Sequence, residues 1–86
     1  MIQFVYSVYD KKNGMYGPVM VFNSNVDCIR AMEMDLMRHD SVVANYPFDF
    51  CLHCLGKFDT HNGLLTADKI ENIYEFGSFV RDSENK

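Results

Sequence analysis

The densest group of residues that could do chemistry is a short run of two cysteines and one histidine. Cys51, His53 and Cys54 fall within four positions, and His61 lies nearby in the sequence. Two cysteines separated by two residues bind zinc when the backbone between them turns tightly, and a structural zinc ion needs four ligands. The chain has no second pair of cysteines or histidines at a metal-binding spacing.

The local sequence pattern argues against a metal site. Residues 50–58 alternate between apolar and other side chains, which predicts a strand, and residues three apart on a strand point to opposite faces. The thiols of Cys51 and Cys54 should therefore diverge, and we predict no metal ion and no cofactor. We expect Cys54 and Cys28 to be small core residues, with Cys51 and His53 on the opposite face. A reducing cytosol would leave all three cysteines as thiols.

Catalysis is the next chemistry to weigh. A cysteine beside a histidine can act as a nucleophile with its base, but no spacing here favours such a pair. The sequence contains no G-x-S-x-G motif, no Walker-type glycine loop and no H-E-x-x-H motif. We therefore predict that the protein is not an enzyme and has no catalytic residues.

A pair of lysines flanked by tyrosines is the first candidate for nucleic-acid contact. Lys11 and Lys12 occupy a predicted hairpin turn, with Tyr9 before it and Tyr16 after it. Ammonium groups can contact phosphates while tyrosine rings stack on unpaired bases. The simpler alternative is that the turn is merely polar, as most hairpin tips are, and that Tyr9 packs within its strand.

Two arginines on the predicted helix extend this candidate set. Arg30 and Arg38 are eight residues apart, which is about 12 Å along a helix and suits contact with two phosphates. Asp27 and Asp35 each precede an arginine by three positions and can neutralise it. A solvated, self-paired helix face is therefore the alternative.

Two methionines are candidates for protein interaction. Met15 lies beside the first predicted turn, and Met34 lies on the outer side of the predicted helix. Methionine and aromatic side chains are enriched in protein interfaces. Isolated exposed apolar residues are the alternative, since single ones are common on protein surfaces.

The first half of the chain predicts a hairpin followed by a helix. Residues 2–10 alternate as a strand does, Asn13-Gly14 is a turn signal that requires a positive φ, and residues 18–22 form the returning strand. Ser24 with Asp27 resembles a capping box, and the helix is predicted from about Val26 to His39. The residues predicted to face the sheet are Val26, Cys28, Ile29, Met32, Leu36 and Met37.

The second half predicts another hairpin. Residues 40–48 suggest a loop, residues 50–58 a strand with a bulge at Gly56, and Asn62-Gly63 a turn before a return over 64–66. The segment after it could be a short helix or an irregular wrap. The order β-β-α-β-β predicts an α+β fold, in which a small antiparallel sheet of two β-hairpins packs against one amphipathic helix. We expect one domain over residues 1–80 and a frayed polar tail over 81–86.

Charge limits which partners the chain can bind. The 86 residues carry a net charge of −4, from 8 Lys and Arg against 12 Asp and Glu. Strong non-specific DNA binders are basic, so this composition excludes strong non-specific affinity. Up to Ala31 the balance is +1, whereas from Asp59 onward it is −3, so a polyanion-binding face is predicted in the N-terminal third. The N-terminus lacks a signal-peptide pattern and no apolar run could span a bilayer, which predicts an intracellular protein without a membrane partner.

The order of several short signatures resembles the small non-structural protein of gokushoviruses, which are tailless single-stranded-DNA phages of the Microviridae. The signatures are Val8-Tyr9-Asp10, Tyr16-Gly17-Pro18, Asp27 with Ile29-Arg30, Tyr46-Pro47-Phe48-Asp49-Phe50, Gly56-Lys57-Phe58-Asp59 and Asn62-Gly63. The similarity spans about residues 5–80. The chain departs from the usual pattern at Val19-Met20 and at Phe48, so the fold is expected to be shared more fully than the surface.

This resemblance implies a function that the residues alone do not. It implies a non-structural accessory protein that acts in viral single-stranded DNA synthesis or genome packaging, in the cytoplasm of the bacterial host. The implied partners are viral DNA, taken as single-stranded and bound weakly by the protein alone, and the phage replication initiator or procapsid proteins. A homodimer is left open. The alternative is a protein-interaction module for a phage or host partner, with no affinity for nucleic acid.

Overall fold

A computed structural model describes residues 1–38 and 40–79, and it confirms the predicted α+β class. Over these residues the chain forms one antiparallel sheet of five strands, with the order β2-β1-β4-β5 and with β3 also paired to β1. The strands are β1 Ile2–Asp10, β2 Met15–Tyr16, β3 Met20–Phe22, β4 Phe50–Asp59 and β5 Leu65–Glu75. The helices are α1 Asn25–Met37, α2 Val42–Asn45 and a 3₁₀ helix Pro47–Asp49, and residues 76–79 are also helical.

Both predicted Asn-Gly turns are confirmed by their backbone geometry. Gly14 and Gly63 have φ values of 68° and 76°, in the region that glycine adopts without a steric penalty. At the first turn the Asp10 carboxylate accepts the backbone N–H of Lys12 at 2.9 Å and that of Asn13 at 3.2 Å. At the second turn the Asp59 carboxylate likewise accepts the backbone N–H of His61 at 2.9 Å. The sequence therefore fixes each hairpin through a glycine and through an aspartate before it.

The return of the first hairpin differs from the single strand predicted over residues 18–22. Between the pairs Tyr9–Tyr16 and Tyr6–Met20, β1 advances three residues while the returning chain advances four. The extra residue makes a bulge that separates β2 from β3. Gly17 closes the bulge, because its N–H donates to the Val8 carbonyl at 2.9 Å and its carbonyl accepts the Ser7 hydroxyl at 2.8 Å.

Helix α1 begins and packs as its sequence predicts, except at its two ends. The Ser24 hydroxyl accepts the Asp27 N–H at 3.2 Å, and Cys28 and Leu36 are buried. The prediction that Val26 and Met37 face the sheet is wrong, since they are 57% and 59% exposed. At about 100° per residue, Val26 lies about 200° from Cys28 and Met37 about 100° from Leu36, so both fall off the buried stripe. The predicted helix end, His39, lies outside the described residues, as does the tail over 81–86.

Part of the predicted 40–48 loop is helical. Ser41 caps α2 by accepting the Ala44 N–H at 3.0 Å, and Pro47 begins the 3₁₀ helix. A proline at the first helical position loses no hydrogen bond, because that N–H has no partner within a helix. These short elements form a compact bridge from α1 to β4.

Strand β5 is much longer than the predicted return over residues 64–66. It pairs with β4 as far as Glu75, but between Ala67 and Glu71 it carries two more residues than β4 does between Gly56 and Cys54. The irregularity at Gly56 was predicted. A Cβ atom at Gly56 would collide with the Thr66 carbonyl oxygen, so only glycine fits where the two strands approach.

The main core lies between α1 and the sheet. Its buried members are Tyr6, Cys28, Leu36, Phe50, Leu52 and Phe76, with Cys54 packed against them as predicted. Tyr6 is fully buried and its hydroxyl donates to Asn25 Oδ1 at 2.7 Å. Burial raises the pKa of Tyr6 to about 12. None of the helices among the described residues has the length and apolar character needed to cross a bilayer.

Candidate functional site

The face of the sheet turned away from α1, here called the outer face, presents three aromatic rings side by side. Tyr9 on β1 and Tyr16 on β2 are cross-strand partners with ring centroids 4.7 Å apart. His53 on β4 stacks on Tyr9, with centroids 5.1 Å apart and an interplanar angle of 13°. We call Tyr9, Tyr16 and His53 the ring cluster. Two neighbouring strand pairs position it, because residues on one face of adjacent strands are close.

Hydrogen bonds on both ring nitrogens fix the orientation of His53. Its Nδ1 lies 2.8 Å from the Tyr16 hydroxyl oxygen, and its Nε2 lies 3.3 Å from Cys51 Sγ. A neutral imidazole has one donor and one acceptor nitrogen, and a hydroxyl or thiol can serve either. The edge of the imidazole is thus used inside the protein, one of its faces stacks on Tyr9, and the centroid of the Tyr16 ring lies 5.5 Å away at an interplanar angle of 62°.

The prediction that Cys51 and His53 share the face opposite Cys54 is confirmed, and only their direct hydrogen bond was not predicted. Residues two apart on a strand share a face, so Cys51 and His53 had to be neighbours. The Cys51 side chain is 2% exposed, and burial raises the pKa of its thiol. A thiol with a raised pKa stays protonated near neutral pH, and it is the thiolate that acts as nucleophile. The pair is therefore a hydrogen-bonded support for the ring cluster.

The two thiols of the C-x₂-C run diverge, as the alternation predicted. Cys51 lies on the outer face, whereas Cys54 packs against the core on the α1 side. Among residues 1–38 and 40–79 there is no group of three or more His, Cys, Asp or Glu side chains arranged to hold a metal ion.

Lys11 lies next to the ring cluster and is held in an ion pair. Its Nζ is 2.8 Å from Glu75 Oε1, and Asn72 Nδ2 donates to Glu75 Oε2 at 2.6 Å. Hydrogen bonding between the two groups raises the pKa of Lys11 and lowers that of Glu75. Glu75 and Asn72 were missed because no strand was predicted over their segment. Lys11 is therefore charged, but a carboxylate occupies the position where a phosphate would bind.

The other basic candidates lie at two different places. Lys12 is exposed at the tip of the first hairpin, close in sequence to the ring cluster. Arg30 and Arg38 are on α1, which covers the opposite face of the sheet. Arg38 lies 3.8 Å from Asp40, and the predicted neutralising residue Asp35 instead accepts the Ser41 hydroxyl at 3.1 Å. The six nucleic-acid candidates therefore divide into a group at the outer face and two arginines behind it.

The two methionine candidates also lie apart. Met15 is exposed on β2 beside Tyr16, and Met34 is exposed on α1, where it borders a shallow groove with Met32 and Arg38. They do not form one patch.

An apolar groove lies on the outer face at the opposite end from the ring cluster. It has a volume of about 310 Å³. Its lining residues are Val5, Val19, Leu55, Gly56, Leu65, Thr66 and Ala67. We call it the outer groove. No sequence signal marked it, since its walls come from four segments that are distant in the sequence.

Comparison with known proteins gives two matches that cover nearly the whole chain. The model of a family described as Phage ORF5 protein matches residues 3–79. Protein ORF5 of Chlamydia phage 1 is 36% identical over an alignment 90 residues long, which covers 98% of this chain and 94% of that relative. No solved structure matches the chain. The matched residues coincide with the span of about 5–80 over which the sequence resembles a small phage protein, and they confirm that resemblance.

Proposed function

Since this chain belongs to the phage ORF5 protein family, we propose that it is a non-structural accessory protein that binds single-stranded viral DNA at the ring cluster. The observation that carries this proposal is the arrangement of Tyr9, Tyr16 and His53 on an open sheet face beside Lys11 and Lys12. The binding would serve synthesis of the single-stranded genome or its packaging, in the cytoplasm of the bacterial host.

Ring stacking is the main source of affinity in this proposal. Aromatic side chains bind unpaired bases with about 1–3 kcal/mol per base, largely without regard to sequence. Tyr16 is exposed, and it is held in place by His53, so its ring loses little freedom when a base stacks on it. Bases in a duplex are already stacked on each other, so the cluster should prefer single strands.

Phosphate contacts contribute little to the affinity for single-stranded DNA. Lys12 is free to reach a phosphate and Lys11 is partly neutralised by Glu75, so at most two phosphates are contacted beside the rings. Each phosphate contact on a single strand adds roughly 0.7 to the slope of log affinity against log salt. The affinity should therefore be weak, with a shallow salt dependence. Arg30 and Arg38 lie on α1 and are not expected to contribute to the same site.

Protein partners are needed to bring this protein to the viral DNA. With a net charge of −4 the protein is repelled by DNA at long range. We propose that the phage replication initiator or the procapsid proteins bring it to the genome, and that it acts by binding and not by catalysis.

Fluorescence anisotropy with a labelled oligothymidylate, at low and at physiological salt, tests this function. Tyr16→Ala should weaken binding by at least about fivefold, since it removes one stacking surface. Tyr46→Ala is the matched control, because Tyr46 is also exposed but lies outside the ring cluster. Equal loss in both variants, or no binding by the wild-type protein at low salt, contradicts the proposal.

A protein-interaction module without nucleic-acid affinity is the second candidate, and the exposed aliphatic residues around the outer groove favour it. It predicts that the wild-type protein does not bind the oligothymidylate at any salt. It also predicts a complex with the replication initiator or a procapsid protein that changes little between low and physiological salt, because apolar contacts are not screened.

A further inference from the structure

We propose that the protein prefers guanine among the bases of single-stranded DNA, because Lys11, Glu75 and Asn72 hydrogen-bond the polar edge of a base that stacks on the ring cluster. We call these three side chains the edge group. They are joined to each other by hydrogen bonds on the outer face. The inference rests on the proposed function and deepens it, since it names the base that the site selects.

The edge group lies one strand away from His53. Asn72 on β5 is the cross-strand partner of His53. Glu75 is the partner of Cys51, whose sulfur lies 3.3 Å from His53 Nε2. Neighbouring strands are about 4.8 Å apart. One face of His53 stacks on Tyr9 of β1, on the far side of β4 from β5, so a base that stacks on the opposite face can bring its polar edge to the edge group.

Hydrogen bonds within the edge group fix which atoms remain for a ligand. Lys11 Nζ lies 2.8 Å from Glu75 Oε1, and Asn72 Nδ2 donates to Glu75 Oε2 at 2.6 Å. A carboxylate only accepts hydrogen bonds, so the Asn72 amide must turn its nitrogen toward Glu75 and its oxygen away. Asn72 Oδ1 has no hydrogen-bond partner among residues 1–38 and 40–79. The groups left for a ligand therefore run in the order donor, acceptor, acceptor: an ammonium N–H, a carboxylate lone pair and the amide oxygen.

Guanine is the base whose edge complements this order. Its Watson–Crick edge presents O6, N1–H and an N2–H in sequence, which are an acceptor and two donors. Thymine presents O4, N3–H and O2, so its O2 would face the oxygen of Asn72. Cytosine and adenine begin with an amino group, which would face the ammonium group of Lys11. Only guanine therefore pairs with all three members of the edge group.

Charge makes a base a better ligand here than a phosphate or a basic side chain. The hydrogen bonds from Lys11 and from Asn72 lower the pKa of Glu75, so its carboxylate is ionised at neutral pH. A phosphate only accepts hydrogen bonds and would meet this carboxylate and the Asn72 oxygen. An arginine or lysine of a partner only donates and would meet Lys11. A base edge that carries both donors and an acceptor avoids both conflicts.

Fluorescence anisotropy with three labelled strands tests the preference in the wild-type protein. The strands are an oligothymidylate, alternating dT and dG, and alternating dT and deoxyinosine. Inosine keeps the two rings, O6 and N1–H of guanine and lacks only the amino group, so it controls for the stronger stacking of a purine. We expect the dG strand to bind about tenfold more tightly than the oligothymidylate. The inosine strand should bind about threefold or more weakly than the dG strand, because one hydrogen bond is lost.

Two matched asparagine variants assign that hydrogen bond to Asn72. Asn72→Ala should bind the dG and inosine strands equally, because the acceptor of the amino group is gone. Asn45→Ala, which truncates an exposed asparagine on α2, should keep the difference between the strands. Circular dichroism confirms that both variants are folded. Equal binding of the dG and inosine strands by the wild-type protein, or a difference that persists in Asn72→Ala, would overturn the inference.

Glu75→Gln should act in opposite directions on two ligands. It frees Lys11 for a phosphate and so raises the affinity for the oligothymidylate, but an amide has one oxygen where the carboxylate has two, so the preference for the dG strand over the oligothymidylate should fall. An undiminished preference would contradict the role of Glu75.

The guanine preference and the DNA site can fail separately. A wild-type protein that binds the oligothymidylate, the dG strand and the inosine strand equally overturns the guanine preference alone. A wild-type protein that binds none of the three strands at low salt overturns the proposed function, and the guanine preference with it.

Discussion

Glu75→Gln should increase the affinity of the protein for single-stranded DNA. Glu75 is the carboxylate that pairs with Lys11 at 2.8 Å beside the ring cluster, and a phosphate must compete with it for the ammonium group. An amide removes this competition while it keeps the size of the side chain and its ability to hydrogen-bond Asn72.

The expected gain in DNA affinity follows from the solvent exposure of the Lys11–Glu75 ion pair. The Lys11 and Glu75 side chains are 42% and 39% exposed, so solvent screens the ion pair. Pairs of this kind contribute roughly 0–1 kcal/mol, and releasing that energy would raise the affinity by up to about fivefold. The freed lysine should also steepen the salt slope by roughly 0.7, because one more phosphate is neutralised.

Anisotropy titrations across a series of salt concentrations measure both quantities. Glu71→Gln is the matched control, since it removes the same charge from β5 but pairs with Cys54, which faces the core. If Glu71→Gln raises the affinity as much as Glu75→Gln does, the gain is a general charge effect and the reasoning is refuted. An unchanged salt slope in Glu75→Gln refutes it as well.

Two further predictions concern stability. Burial raises the pKa of Cys28 and of Tyr6 to about 12, so each contributes stability that is complete below its unfolded pKa and is lost as pH rises through the folded value. The unfolding free energy should therefore fall between about pH 9 and 12, and it should fall less steeply with pH in Cys28→Ala. Urea titrations over that pH range measure this. Equal slopes of unfolding free energy against pH in the wild-type protein and in Cys28→Ala would contradict a contribution from the buried Cys28 thiol. Gly56→Ala should cost about 2 kcal/mol or more, because the new methyl group collides with the Thr66 carbonyl oxygen. Gly63→Ala, where φ is 76° and the space is open, should cost only about 1 kcal/mol in the same urea experiment, and a reversed order would refute the collision argument.

The local signals in the sequence were sufficient for the hairpins and the helix. A glycine after an asparagine sets each turn, and Ser24 sets the start of α1 through its hydroxyl. The turns and the start of α1 depend only on residues that are close in the sequence. The alternation of residues 2–10 and 50–58 then assigns their side chains to the two faces of the sheet. The separation of Cys51 from Cys54 followed from that alternation alone.

The candidate site depends on pairing between distant segments, and sequence patterns do not contain that pairing. The contact between Tyr16 and His53 requires β1 to lie between β2 and β4. The ion pair of Lys11 with Glu75 requires β5 to extend well beyond its predicted end. That extension was missed because β5 is largely exposed and irregular between Ala67 and Glu71, where no clear alternation marks a strand. The outer groove was missed because its walls come from four segments that are distant in the sequence.

A titration of the isotope-labelled protein with a short oligothymidylate, followed by backbone amide NMR shifts, tests most directly whether the ring cluster binds single-stranded DNA. The account predicts saturable shifts at Tyr9, Lys12, Tyr16 and His53, and little change along α1. Shifts that map to Arg30 and Arg38 while the ring cluster stays unchanged, or no shifts at any concentration at low salt, would contradict it.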